Sequence, residues 1–260
     1  MSEDQATAAA REGQEALRLS SVDNFRDVAG PGYATTDGGR VRTGVFYRSN
    51  ELRIDEHELA GIAGLGLVGI CDLRAQVEID RHPDPAVDGA AWHHFDVIGI
   101  PMERVAGLRT RTEAEDVMHR VYRGFVDEPS SRAALGELFR HLATGGPQLF
   151  HCTAGKDRTG WTAALLLHVA GVDDATIDSD YLLTNALTAA SRARAEASIS
   201  QHLGADLVPV FEPTLVADIA YLRAAYDAVA QRYGDRATYL REGLGLDEDT
   251  LAALRSLLRD

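Results

Sequence analysis

The sequence predicts an α/β protein, a central sheet flanked by helices. Three observations carry that expectation. Short apolar runs of strand length, Leu67–Cys71 and Leu149–Phe150, stop at polar residues and loops. Longer segments repeat apolar residues at helical spacing, as in Leu135, Leu138, Phe139 and Leu142. A chain of 260 residues with 45% hydrophobic content can bury a sizeable core, and we expect one domain over residues 21–260.

The elements follow in order. Residues 1–20 are polar and alanine-rich and read as an N-terminal tail. Ala29-Gly30-Pro31-Gly32 and Asp37-Gly38-Gly39 are turn punctuation leading into a strand at Gly44–Tyr47, which Arg48 and Ser49 end. Asp55 and Glu58 form a capping-box start for a helix carrying Leu59 and Ile62, closed by Gly64 and Gly66. The run Leu67–Cys71 then reads as a buried central strand, with Asp72 leaving its carboxyl end. Ligands of open α/β sheets gather outside such ends, so Asp72 is a candidate for the crevice, or else a cap or a partner for Arg74. Cys71 reads as a small buried hydrophobe, or as a backdoor cysteine whose sulfur reaches Cys152 under oxidation and shields it as a disulfide.

Ala91–Ile98 reads as a further strand. Its adjacent His93 and His94 point to opposite faces, and no cysteine or carboxylate spacing completes a metal site, so we expect no metal and no cofactor. Residues 101–128 exceed what a connection needs. A Thr112/Glu115 capping box and the spacing of Met118, Val121, Tyr122 and Phe125 predict a helix there. Its arginines alternate with acids, which fits a solvated amphipathic helix or a lid over a pocket. Ser130 or Ser131 caps the next helix, and Gly145-Gly146-Pro147 turns the chain into the second apolar run. Helices are expected from Asp173 or Asp174, after Thr188, over Pro213–Tyr233 and over Asp247–Leu258.

One stretch organises the rest: His151-Cys152-Thr153-Ala154-Gly155-Lys156-Asp157-Arg158-Thr159-Gly160, between the Leu149–Phe150 strand and an amphipathic helix closed by Gly171. A helix N-terminus that opens into a small-residue loop gathers free N–H groups on an anion. The same field stabilises a thiolate, which makes Cys152 a candidate nucleophile. Arg158, six positions on, can return beside the sulfur and hold two oxygens of a tetrahedral anion through its planar fork. Thr159 can donate its hydroxyl to the sulfur, and His151 is placed to order the loop through its ring nitrogens.

Cys152 to Arg158 resembles the C-x5-R phosphate loop of the cysteine-dependent protein tyrosine phosphatases. With Lys156 and Asp157 inside the loop, the form HCxAGKDRTG is similar to an atypical bacterial branch of that family. Asn24-Phe25-Arg26-Asp27, Gly44–Ser49 and Cys71-Asp72-Leu73-Arg74 match the branch as well. The resemblance implies a tyrosine phosphatase-like fold, a central mixed sheet flanked by helices with a helical lid insertion over residues 100–128, and it moves Arg48 toward a structural role near the site. It implies hydrolysis of phosphate monoesters through a phosphocysteine. Cys152 would attack, and residues Thr153, Ala154, Gly155, Lys156, Asp157, Arg158 and Thr159 would bind the phosphate.

Three carboxylates are candidates for the acid that protonates the leaving oxygen: Asp157, by resemblance to branch members whose loop supplies it, then Asp72, then Asp96, which lies where related dual-specificity enzymes place an acid loop. The common Trp-Pro-Asp loop is absent from the sequence. Implied substrates are phosphotyrosine proteins, with phosphoserine, phosphothreonine and phosphoinositides beside them. Rival readings are a sulfurtransferase, an arsenate reductase, for which only Cys71 is available as a relay, and a noncatalytic phosphate-binding module. A net charge of −14 speaks against nucleic-acid partners. Two cysteines, no signal-peptide pattern and no membrane-length apolar run predict a soluble cytoplasmic protein.

Overall fold

The computed structural model describes residues 22–54, 56–100, 105 and 107–259. The expected tail over residues 1–20, the helix cap at Asp55, and Arg104 lie outside the described residues. Five strands form one sheet: β1 (Arg26–Asp27), β2 (Phe46–Ser49), β3 (Gly69–Asp72), β4 (Ala91–His94) and β5 (Gln148–His151), in the order β1-β2-β5-β3-β4. β1 runs antiparallel to β2, and the other pairs are parallel, so the sheet is mixed as expected.

Register decides where the site forms. His151, the last residue of β5, pairs with Ser49 on one side and Asp72 on the other. Three parallel strands therefore end level, and the chain leaves β5 into the groove between two other strand ends. β2 and β3 sit one or two residues later than the apolar runs suggest, β4 stops at His94 rather than Ile98, and β5 extends one residue beyond its run at either end; Val68, read as strand, precedes β3 and is exposed. Side chains alternate across the sheet: Phe46, Cys71 and Phe150 enter the larger core cluster, and Tyr47, Ile70 and Leu149 the smaller one.

Helices cover both faces. α1 (Glu56–Ala63) places Ile62 in the smaller cluster, and the short α2 (Gln76–Arg81) follows β3. α3 (Arg111–Asp127), α4 (Pro129–Leu142) and α5 (Asp157–Ala170) build the larger cluster. Beyond them come α6 (Asp174–Leu187), α7 (Ala189–His202), α8 (Val208–Leu215), α9 (Ile219–Tyr233) and α10 (Glu248–Leu258).

Two expectations are corrected. α5 is not amphipathic: every residue from Asp157 to Ala170 except His168 is buried, which marks a helix in the middle of the core. α3 begins two residues earlier than read, with Thr110 and Glu113 as its capping box. Its Ala114, Val117, Met118, Val121, Tyr122, Phe125 and Val126 are all buried, so this face packs in the larger core cluster. α7 and α8 line a cavity beside the Cys152–Lys156 loop. α7, the helix expected after Thr188, has no buried residue, and nothing in its alanines and arginines pointed to that place beside the loop.

Candidate active site

The loop Cys152–Lys156 is held from below through its carbonyls. Gly155 C=O accepts from Asn24 Nδ2 at 2.6 Å and from Arg48 Nη2 at 3.1 Å, and Thr153 C=O accepts from the Glu51 N–H at 3.2 Å. A planar trans peptide directs its N–H opposite to its C=O. The Lys156 and Ala154 N–H groups therefore point away from those anchors, into the hollow of the loop. Gly155 is required on two counts: its φ is +65°, and a Cβ would stand 2.5 Å from Ser49 O and 2.6 Å from Asn50 N. Asn24 adopts a left-handed backbone at φ 63°, which a short amide side chain tolerates and which aims it at Gly155.

Behind the loop stands Asp180 on α6. It pairs with Arg48 at 2.9 Å and Arg26 at 3.2 Å, all three buried. Burial and the adjacent Arg26 charge push Arg48 down to about 10, against the pull of Asp180. Arg48 thus takes the structural position that the motif implied, linking α6 to the loop.

Arg158 shows how the anion would be held. Its Nη1 donates to Glu78 Oε2 at 2.7 Å and to Leu73 O at 3.3 Å, and its Nη2 donates to Glu78 Oε1 at 2.9 Å. Glu78 therefore grips the end of the guanidinium. Nε–H and the second Nη2 proton have no protein partner among the described residues, so the side-on edge of the fork remains for two oxygens of a phosphate. Burial works to lower the Arg158 pKa, but the Glu78 hydrogen bonds and then the Cys152 charge hold it above its ordinary value. Glu78 in turn is brought down to about 2, burial being outweighed by Arg158 and Thr153. Gly99 closes one side, its absent Cβ leaving room for the guanidinium at 3.2 Å.

The other candidates fall in distinct places. Cys152 is buried at the foot of the loop, one residue past β5. Thr159 Oγ1 is buried without a hydrogen-bond partner, so the expected bond to the Cys152 sulfur is not formed. His151 Nε2 lies 2.8 Å from Asp84, and its Nδ1 lies 3.4 Å from Cys152 O. Lys156 is 2% exposed and bonded to Asp157 Oδ1 at 2.5 Å. Asp157 also accepts from Tyr122 Oη at 2.9 Å.

Asp72 is corrected as an acid candidate. Its oxygens are taken by Arg74 at 2.9 and 2.7 Å, and it is fully buried, so no oxygen faces a substrate. Arg74 also binds Asp84 at 2.9 Å, which fills the cluster of Asp72, Asp84 and His151 with a guanidinium rather than a metal. Asp96 is exposed and lines a cavity of about 600 Å³ with Glu78, Ile98, Gly99 and Thr153. Cys71 is opposite Phe150 in the β3–β5 ladder, its sulfur 3.9 Å from Gln148 Oε1 and its thiol pushed up by burial.

Glu78, Asp84 and Asp180 were missed by sequence reasoning. Each lies 67 to 154 positions from its partner in the loop or its anchor, and the matching motifs held the anchors Asn24, Arg26 and Arg48 but none of these three acids.

A buried cysteine and an arginine with a free side-on fork, both at the head of one helix, define a cysteine-dependent phosphatase acting on phosphoesters. Comparison with known proteins agrees. A model of the tyrosine phosphatase family matches residues 17–260, and the chain belongs to that family. It is 31% identical to triple specificity protein phosphatase PtpB of Mycobacterium tuberculosis, over 92% of this chain and 98% of the relative. It is 33% identical to a Cupriavidus necator protein that carries a tyrosine-protein phosphatase name, over 92% and 88%. A tyrosine-protein phosphatase of Nostoc commune matches at 30% over 54% of this chain and 48% of its own.

Proposed function

We propose that this tyrosine phosphatase hydrolyses phosphotyrosine, phosphoserine, phosphothreonine and phosphoinositide monoesters through a phosphocysteine, without a metal. Cys152 attacks phosphorus in line with the leaving oxygen. The loop N–H groups and the side-on edge of Arg158 hold the equatorial oxygens as charge develops on them. Asp157 protonates the leaving oxygen and then takes a proton from the water that releases phosphate. The observation that carries this reading is the Arg158 fork, gripped at its end by Glu78, with Nε–H and one Nη2 proton left without a protein partner among the described residues.

Breadth of substrate is supported by a cavity of about 650 Å³ beside the loop. Thr153, Ala154 and Lys156 line it with Glu51, Arg53, Arg192 and Arg194, room for substrates with more than one phosphate, beside arginines that pair with Glu51, Glu196 and Asp23. A thiol nucleophile works only when reduced, which favours cytoplasmic residence. No described helix is long and apolar enough to cross a membrane. The formal charge of −14 argues against nucleic-acid partners.

The test is a panel of phosphotyrosine, phosphoserine and phosphothreonine peptides and of phosphoinositides in excess chelator. Turnover in all classes is expected. Turnover of phosphotyrosine alone would refute the broad reading and leave a strict tyrosine phosphatase.

A further inference from the structure

Asp157 is the most constrained carboxylate of the loop, and the constraint comes from helices remote in sequence. Tyr122 on α3 donates its hydroxyl to Asp157 Oδ1 at 2.9 Å, and Lys156 Nζ reaches the same oxygen at 2.5 Å. The Tyr181 hydroxyl on α6 lies 2.6 Å from that of Tyr122. Both tyrosines are buried, at 0% and 1% exposure.

Proton counting fixes the direction of this chain. Each phenol carries one proton, and an ionised carboxylate carries none. Tyr122 therefore gives its proton to Asp157, and Tyr181 gives its own to the Tyr122 oxygen. Asp157 Oδ1 is left with two donors, while Oδ2 has no protein partner among the described residues. When Asp157 carries a proton, it sits on Oδ2.

We propose that Tyr122, steadied by Tyr181, is a positioning residue for proton transfer to the leaving group. It turns Asp157 so that Oδ2 is the oxygen that delivers the proton. The inference rests on Asp157 being the acid, as proposed above. The adjacent residues Asp180 and Tyr181 then give α6 two grips on the loop, one through Arg48 to Gly155 and one through Tyr122 to Asp157.

A leaving-group series distinguishes positioning from mere packing. An acid matters most when the departing phenol is basic, and little when it leaves readily as a phenolate. The experiment measures kcat/KM, which reports the step that expels the leaving group, for aryl phosphates from 4-nitrophenyl to unsubstituted phenyl. Wild type, Tyr122→Phe, Tyr181→Phe, Asp157→Asn and the Tyr122→Phe/Asp157→Asn double variant are compared.

Tyr122→Phe should turn over 4-nitrophenyl phosphate almost normally and lose on the order of tenfold on phenyl phosphate. Tyr181→Phe should lose less, with the same gradation. In the Asp157→Asn background, Tyr122→Phe should add nothing. An equal loss across the series, or effects that add in the double variant, would overturn the positioning role even with Asp157→Asn graded. A flat series for Asp157→Asn would overturn the acid assignment itself, and this inference with it.

Discussion

At the scale of single residues, the loop depends on positions where one atom more or less changes the geometry. A methyl group at Gly155 would strike the Ser49–Asn50 backbone and require a left-handed alanine. Gly155→Ala is expected to cost about 1–3 kcal/mol of stability, seen in urea melts, and to remove most phosphatase activity because the loop N–H groups lose their aim. Arg158→Lys keeps the charge but not the fork. With Glu78 holding one edge and phosphate the other, a lysine serves neither completely, and kcat/KM should fall roughly 10²–10³-fold. These two residues were legible in the sequence, because the C-x5-R spacing and a small residue in the turn are local signals. Glu78 was not. Its only mark in the sequence is an acid in the first turn of a short helix, and its role appears when the fold brings it to Arg158, 80 positions away.

At the scale of elements, α6 matters more than its sequence suggests. Asp180 neutralises Arg26 and Arg48 in the interior, so Asp180→Ala would leave two buried guanidiniums without their shared carboxylate. The expected loss is about 3–5 kcal/mol, measured by denaturant unfolding, with activity falling as the Gly155 anchor loosens. α3 teaches the opposite lesson. Its periodicity was readable, and a helix stands there, but charge alternating along one face does not say what the other face covers. Seven buried apolar or aromatic side chains place that face in the core, with Tyr122 reaching the loop from beneath, and the basic helix α7 lines the cavity beside the loop.

At the scale of the whole molecule, two carboxylates set opposing responses to acid. Burial raises Asp27 to about 6 from 3.8, so the folded state holds its proton more tightly than the unfolded chain. Its contribution is fully present below pH 3.8 and is lost as pH rises through 6. Glu78, lowered to about 2 from 4.5, contributes above pH 4.5 and loses that contribution as pH falls toward 2. Glu78→Gln should therefore flatten the loss of stability below pH 4.5 in melts recorded across the acid range. An unchanged acid limb would show that the Arg158 grip contributes nothing to the fold. The α/β architecture was legible from apolar runs and helical spacing, and the mixed sheet from the family resemblance. The level ending of β2, β3 and β5, which creates the groove, follows from strand register, a property of the assembled sheet that no single run displays.

The central claim is that Cys152 is the nucleophile. The most direct measurement is hydrolysis of a phosphotyrosine peptide in excess chelator by wild type and Cys152→Ser, with acid quench to trap a phosphorylated enzyme. Wild type should turn over and yield a phosphoenzyme linked through Cys152, and the serine variant should do neither. Retained turnover in Cys152→Ser, or a phosphoryl group trapped on another residue, would contradict the account.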